Sequence, residues 1–270
     1  MSEATGERVS VTLEDGIVSV RLTRPEKRNA LDPAMMEALI AAGEQVKSMP
    51  GARAVVLSGE GASFCAGLDL GAMQALAGSG PRDRAPAALE LPDGAITHRG
   101  QQMCWVWQEV PVPVVAAVHG HALGGGLQLA LGADIRVVHP DTQLSLREVY
   151  WGLVPDMTGT LTAGRLARAD VLKDLMFSAR IFDGREAGEL GLATRVSDTP
   201  LKDAQALARG YAERSPAAVR AAKALANHLL YGEAAGQFAA ERRLIHGLAG
   251  TAEQAEAVRA HFEKRPPVFP

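Results

Sequence analysis

Two short glycine-containing segments are places where the main chain could do chemistry. The first is Ser63-Phe64-Cys65-Ala66-Gly67-Leu68-Asp69-Leu70 and the second is Gly124-Gly125-Gly126-Leu127-Gln128. Glycine lets another molecule approach the backbone closely. A helix starting after Gly125 would aim its unpaired N–H groups and the positive end of its dipole outward. Two convergent N–H donors suit a thioester carbonyl that becomes an enolate, because they stabilise charge that develops during reaction. Losing one such donor typically costs about 3 kcal/mol of transition-state stabilisation. A glycine triplet can equally be no more than a turn, and on the residues alone that alternative stays open. The spacing in Gly120-His121-Ala122-Leu123-Gly124-Gly125-Gly126 is not GxGxxG and no acidic ribose partner follows it, so a dinucleotide site is not indicated.

Other reactive side chains carry less. Cys65 sits beside the first loop, but a nucleophilic thiol needs a base such as histidine within reach. Sequence does not place His119 or His121, and a buried cysteine is usually inert packing. His119 and His121 are two residues apart, a spacing that can ligate a metal from a strand. No third ligand accompanies them, and no metal site is expected.

Both loops follow short apolar runs, Ala54–Ser58 and Val114–Val118, that read as buried strands. Residues 8–23 alternate around Asp15-Gly16 and predict a β-hairpin. Asp32 and Pro33 mark a helix start, with Met35, Met36, Leu39, Ile40 and Val46 near one face of a helix reaching Ser48. Further helices are predicted over Arg99–Glu109 and from the second loop to Leu131, and a further strand over Ile135–Val138. The stretch 78–95, rich in Gly, Pro, Arg and Asp, predicts a mobile surface segment. The second half of the chain turns helical, over about 159–168, 170–178, 184–190, 200–213, 216–231, 233–247 and 251–263. The alternation of strand, helix and glycine loop argues for an α/β core. The last 70 residues argue for a helical extension.

At 270 residues, 47% hydrophobic and 22% charged, the chain has the balance of a soluble globular protein. A formal net charge of −3 with no basic block gives no electrostatic support for a nucleic-acid or membrane-surface partner. Two cysteines make neither a disulfide framework nor a CxxC site. The N-terminus lacks the pattern of a signal peptide, no apolar run is long enough to span a bilayer, and a cytoplasmic location is the default expectation.

Six segments in order resemble the crotonase superfamily, the enoyl-CoA hydratase/isomerase family. They are RLTRPEKRNALD (21–32), AVVLSGEGASFCAGLDL (54–70), PVVAAVHGHALGGGLQLALGADIRV (113–137), LREVYWGLVPDMTGT (146–160), GREAGELGLATRV (184–196) and HFEKR (261–265). The resemblance implies a spiral core of ββα units over 1–198. It also implies a C-terminal helical region over 199–270 that builds a homotrimer or a dimer of trimers. A CoA thioester is the implied substrate, with no cofactor beyond that coenzyme A. The implied oxyanion donors are the backbone N–H groups of Leu68 and Gly125. The implied CoA contacts are Lys27, Arg28, Ala30, Ala66, Asp69, Leu70, Phe262 and Lys264, the last two often supplied by a neighbouring subunit.

Hydratases of this family carry two glutamates that hold a water and move its protons. Here the resemblance puts Gln128 at the first position and Glu148 at the second. An amide can hydrogen-bond a water but cannot take its proton. Asp156, eight residues after Glu148, matches an aspartate of the dienoyl-CoA isomerase subgroup, in which two carboxylates relocate one proton. The expectation is therefore double-bond isomerisation with Glu148 and Asp156 as acid–base groups. Hydration of a trans-2-enoyl-CoA and a catalytically silent acyl-CoA-binding protein are the alternatives. Glu148 can also be read as a solvated carboxylate and Asp156 as a helix N-cap. Gln128 can be read as orienting water or substrate, or as non-catalytic. Tyr150 and Trp151 are expected to pack or to shape the acyl pocket. In the last helices Ala217, Val219, Ala222, Leu225, Ala226 and Leu229 form an apolar stripe, suited to another subunit or to the core.

Overall fold

In the computed structural model, residues 8–78, 91 and 94–268 are described, with the backbone alone for 228–235 and 240. The stretch expected to be mobile at 78–95, the side chain of Leu229 and the extreme N-terminus lie wholly or mostly outside these residues.

The hairpin forms where Asp15-Gly16 predicted it. Both residues have positive φ, 50° and 81°, and strands β1 (Val9–Glu14) and β2 (Ile17–Leu22) pair antiparallel across them. The remaining strands of the main sheet run parallel: β3 (Ala54–Gly59), β4 (Val114–Val118), β6 (Ile135–Val138) and β8 (Arg195–Val196), in the order β1-β2-β3-β4-β6-β8. All five residues of β4 are buried, and both faces of the sheet are covered, which is why β3 and β4 read as unbroken apolar runs. Helices α1 (Pro33–Lys47) and α3 (Arg99–Glu109) cover one face through Leu39, Val46, Val106 and Trp107. Asp32 caps α1, its carboxylate accepting from Met35 N at 2.7 Å.

A second layer of very short segments sits beside the main sheet. β5 (His121–Leu123) pairs parallel with β7 (Gln143–Ser145), and single bridges join Cys65 to Ala122, Leu31 to Leu68 and Leu144 to Phe182. The chain thus winds repeatedly from a long strand to a short segment to a helix. The helices after the two loops are α2 (Leu70–Gly78) and α4 (Gly125–Gly132). Three-residue strands carry no readable alternation, so β5 and β7 were not foreseen.

The C-terminal half contains α5 (Gly159–Gly164), α6 (Ala169–Ser178), α7 (Gly184–Glu189), α8 (Pro200–Ala212), α9 (Pro216–Leu248) and α10 (Ala252–Phe262). The two helices expected over 216–231 and 233–247 are one. A single internal glycine costs a helix only about 1 kcal/mol, too little to end it. The 199–270 region is also more than an outer extension. Ala204 and Ala208 of α8 pack on Ala54, Val56, Val115, Ala117 and Val137, covering the other face of the sheet. Lys223 of α9 is tied down by Asp134 at 2.7 Å and by the carbonyls of Trp107 and Val112. Along α9, Ala217, Ala222, Leu225 and Ala226 are exposed, Leu225 at 74%, and Val219 is half-buried, so most of the described stripe faces away from this chain's core.

Candidate active site

The two glycine loops meet. Cys65 N donates to His121 O at 2.9 Å, and Leu123 N donates back to Cys65 O at 3.3 Å. On the other side of the first loop, Leu31 N donates to Gly67 O (2.8 Å) and Asp69 N to Leu31 O (3.0 Å). In such a parallel bridge the groups that bond Leu31 belong to residues 67 and 69, so the N–H of Leu68 points the opposite way. Gly67 has φ 88°, and a Cβ there would lie 2.4 Å from Leu123 O and 3.9 Å from Gly125 N. Gly126 is equally confined, since a Cβ on it would sit 2.2 Å from Cys65 O. These two glycines let the start of α4 approach the first loop. No side chain caps α4, leaving its first N–H groups to whatever occupies the space in front.

That space is a cavity of about 590 Å³, lined by both Leu68 and Gly125. Lys27, Arg28, Ala30, Ala66, Asp69 and Leu70 also line it. The Asp69 carboxylate accepts from Arg24 Nη1 and Gly71 N, both at 2.9 Å. Burial raises its pKa, but those partners outweigh it and leave Asp69 below the usual carboxylate range. Met73, Trp151, Leu153 and Met157 supply apolar wall.

Glu148 and Asp156 complete the lining. Glu148 opens a 3₁₀ turn, Glu148–Trp151, and is buried. Its Oε1 accepts from Gln128 Nε2 at 2.6 Å, while its buried Oε2 has no hydrogen-bond partner. Burial pushes its pKa up to about 7, against its own backbone N–H and Gln128, with Glu241 adding repulsion. Asp156 lies in the loop before α5. The cap position of α5 is Thr158, so Asp156 is not the N-cap of that helix. Burial first, then the charges of Glu148 and Glu241, push Asp156 up to about 8. Burial therefore biases both carboxyls toward their protonated forms, and the charge of Glu148 adds to the bias on Asp156.

Gln128 is fully buried and stands behind Glu148 rather than among the cavity's lining residues. Its Oε1 accepts from Met157 N and Gly159 N, both at 2.9 Å. Behind Asp156, the Glu241 carboxylate accepts from Thr158 N, Thr160 Oγ1 and Gln101 Nε2. His98 hydrogen-bonds the backbone of Asp156, and burial with the nearby Arg242 charge lowers its pKa to about 4. It is neutral at pH 7.

The other sequence-derived candidates fall as follows. Trp151 lines the cavity, while Tyr150 is exposed and hydrogen-bonds His261 Nδ1 at 2.7 Å. Phe262 and Lys264 lie past the lining of this single chain, Phe262 at the end of α10. Burial raises the Cys65 thiol to about 12, which removes it as a nucleophile at neutral pH. His121 pairs with Ser63 Oγ at 2.8 Å and His119 with Gly61 O at 2.9 Å. Sequence reasoning missed Arg147, Met73, Leu153, Met157, Ile181 and His261, all of which line the cavity. Met157, Leu153 and His261 were each adjacent to recognised residues, His261 at the head of the HFEKR segment; that α10 brings the imidazole to this wall is decided by tertiary packing.

The cavity joins two strand-end loops and is lined by two buried carboxyl groups, on a mixed, mostly parallel α/β spiral. The model of the enoyl-CoA hydratase/isomerase family matches residues 12–270, and the chain belongs to that family of enzymes. A Thermus thermophilus protein provisionally named enoyl-CoA hydratase is 34% identical over 262 residues, covering 96% of this chain and all of that one. Mouse mitochondrial methylglutaconyl-CoA hydratase is 31% identical over 262 residues, covering 94% of this chain and 79% of its own. Among solved structures, an enoyl-CoA hydratase/isomerase from Pseudoalteromonas atlantica superposes with a TM-score of 0.83 at 28% identity, covering 97% of this chain and 100% of that one.

Proposed function

We propose that this chain moves a proton along an acyl-CoA thioester, with double-bond isomerisation as its favoured reaction. The N–H groups of Leu68 and Gly125 would hold the thioester oxygen as negative charge develops on it. Glu148 would take the proton from one carbon, and Asp156, protonated at neutral pH, would return one further along the chain. Lys27 and Arg28 would meet the phosphates of coenzyme A, and the wall of Met73, Trp151, Leu153 and Met157 would receive the acyl chain. No cofactor beyond the substrate's coenzyme A enters this scheme.

The observation that carries the reading is the engagement of Gln128. Its oxygen is taken by two N–H groups and its nitrogen by Glu148, so it has little left with which to hold a water. Purified protein should move the double bond of a 3-enoyl- or dienoyl-CoA faster than it hydrates crotonyl-CoA. Robust hydration that survives Gln128→Ala would refute the preference. Hydration of a trans-2-enoyl-CoA is the second reading, favoured by the hydratase names of the Thermus and mouse relatives. The exposed apolar residues of α9 support a trimer-based assembly, in which a neighbour could bring Phe262 and Lys264 to the cavity. Sedimentation at micromolar concentration tests it, and a monomer would refute it.

A further inference from the structure

Gln128 joins three parts of the site. It lies three residues after Gly125 on the same helix, so one turn of α4 carries an oxyanion amide at its start and this side chain next. The orientation of the Gln128 amide follows from its partners. Two N–H groups converge on one end and must meet oxygen; the other end meets the Glu148 carboxylate and must be nitrogen. Turning the amide over would set donors against donors and oxygen against oxygen. Gly159 makes the approach possible, since a Cβ there would fall 2.6–2.8 Å from the Gln128 side chain. Of the two Glu148 oxygens, Oε1 is held by Gln128, and a Cβ at Gly124 would lie 3.1 Å from it. Oε2 is buried without a partner on a residue that lines the cavity.

We propose that Gln128 is a positioning residue, clamping Oε1 of Glu148 and the Asp156 loop in one register so that Oε2 is the oxygen that takes the substrate proton. This rests on the proton-transfer reading and assigns its atoms. A C–H bond of the substrate breaks, its electron pair passes into the enolate held by the two amides, and the O–H bond forms at Oε2. Return of a proton to the distal carbon restores the thioester carbonyl. The neutral clamp also favours the charged form of Glu148, because a donor bonded to a carboxylate stabilises it. The other groups facing Glu148 are Asp156, Glu241 of α9, Cys104 of α3, and Arg147 and His261 on the cavity wall. The variants below leave all of them in place.

The test is the pH profile of kcat/KM for the full chain and for Gln128→Glu and Gln128→Met, with the enoyl-CoA ester that wild type turns over best. Gln128→Glu keeps an acceptor for Met157 N and Gly159 N but sets a second carboxylate against Oε1. Its acidic limb should move up by one unit or more, a tenfold or larger loss below the limb that shrinks above it. Gln128→Met removes both ends of the clamp, and kcat should fall at least tenfold while the Kd for the ester stays within threefold. If Gln128→Met does not fold, Gln128→Glu alone decides. An unmoved limb in folded Gln128→Glu, or faster hydration in it, would overturn the assignment. Wild type that binds the ester and turns it over while these signatures are absent defeats this inference alone. Wild type that binds no CoA ester defeats the functional reading, and this inference with it.

Discussion

The cavity has two walls, and each carries an aspartate. On the wall of the first glycine loop, Asp69 accepts from Arg24 and from Gly71 N and is held below the ordinary carboxylate range. On the opposite wall, Asp156 faces apolar surroundings with Glu148 and Glu241 nearby and is pushed up to about 8. One residue type is thus held charged on one side and biased toward its protonated form on the other. The difference lies in who else is present. The first wall offers donors and one cation, so charge is stabilised there; the second offers burial and like charges, so charge is penalised. On the proposed reading, binding and electrostatic support would fall to the first wall and proton movement to the second.

Breaking the proton-moving wall should have the largest effect. Glu148→Gln keeps the shape but removes the base, and kcat should fall by about 10²–10⁴-fold with ester affinity little changed. A rate within threefold of wild type would erase the division between the walls. Next comes the amide wall. Gly67→Ala forces a Cβ to 2.4 Å from Leu123 O at a φ of 88°, so the loop must move and the Leu68 N–H with it. Losing that donor should cost about 3 kcal/mol of transition-state stabilisation, roughly 10²-fold in kcat, read beside a thermal melt to separate misfolding.

The two aspartates then make opposite predictions for stability. Asp156 binds its proton more tightly folded than unfolded, so its contribution is full below about pH 4 and is lost as pH rises through about 8. Asp156→Asn should flatten the fall in unfolding midpoint between pH 6 and 9, and an unchanged fall would show that the group is not buried with its proton. Asp69 has the reverse linkage. Its contribution is present above its unfolded pKa near 4 and is lost as pH falls below it. Asp69→Asn should therefore destabilise at pH 7 and do little at pH 3. The Asp69–Arg24 pair is partly solvated, so the expected loss is small, on the order of 1 kcal/mol. Denaturant melts at the two pH values measure it.

Much of this arrangement was legible in the residues. The Asp15-Gly16 turn, the cap at Asp32 and the apolar runs of β3 and β4 are local signals, and the chain obeys them. So is the pairing of a buried strand with a glycine loop, twice. The short strands β5 and β7 were hidden, because three residues are too few for periodicity and their partners lie more than 20 residues away. The HFEKR segment points to Phe262 and Lys264, but it is His261 that reaches the cavity, through the packing of α10 against the 3₁₀ turn.

Sequence by itself determined which groups the site contains: two glycine loops, an amide where the family's hydratases have a glutamate, and two carboxylates eight residues apart. Only tertiary structure decided what those groups are. Burial and neighbours fix whether a carboxyl holds its proton, and hydrogen-bond partners from distant segments fix which end of Gln128 faces Glu148. Both are properties of surroundings assembled by long-range contacts, and no local stretch of chain encodes its surroundings.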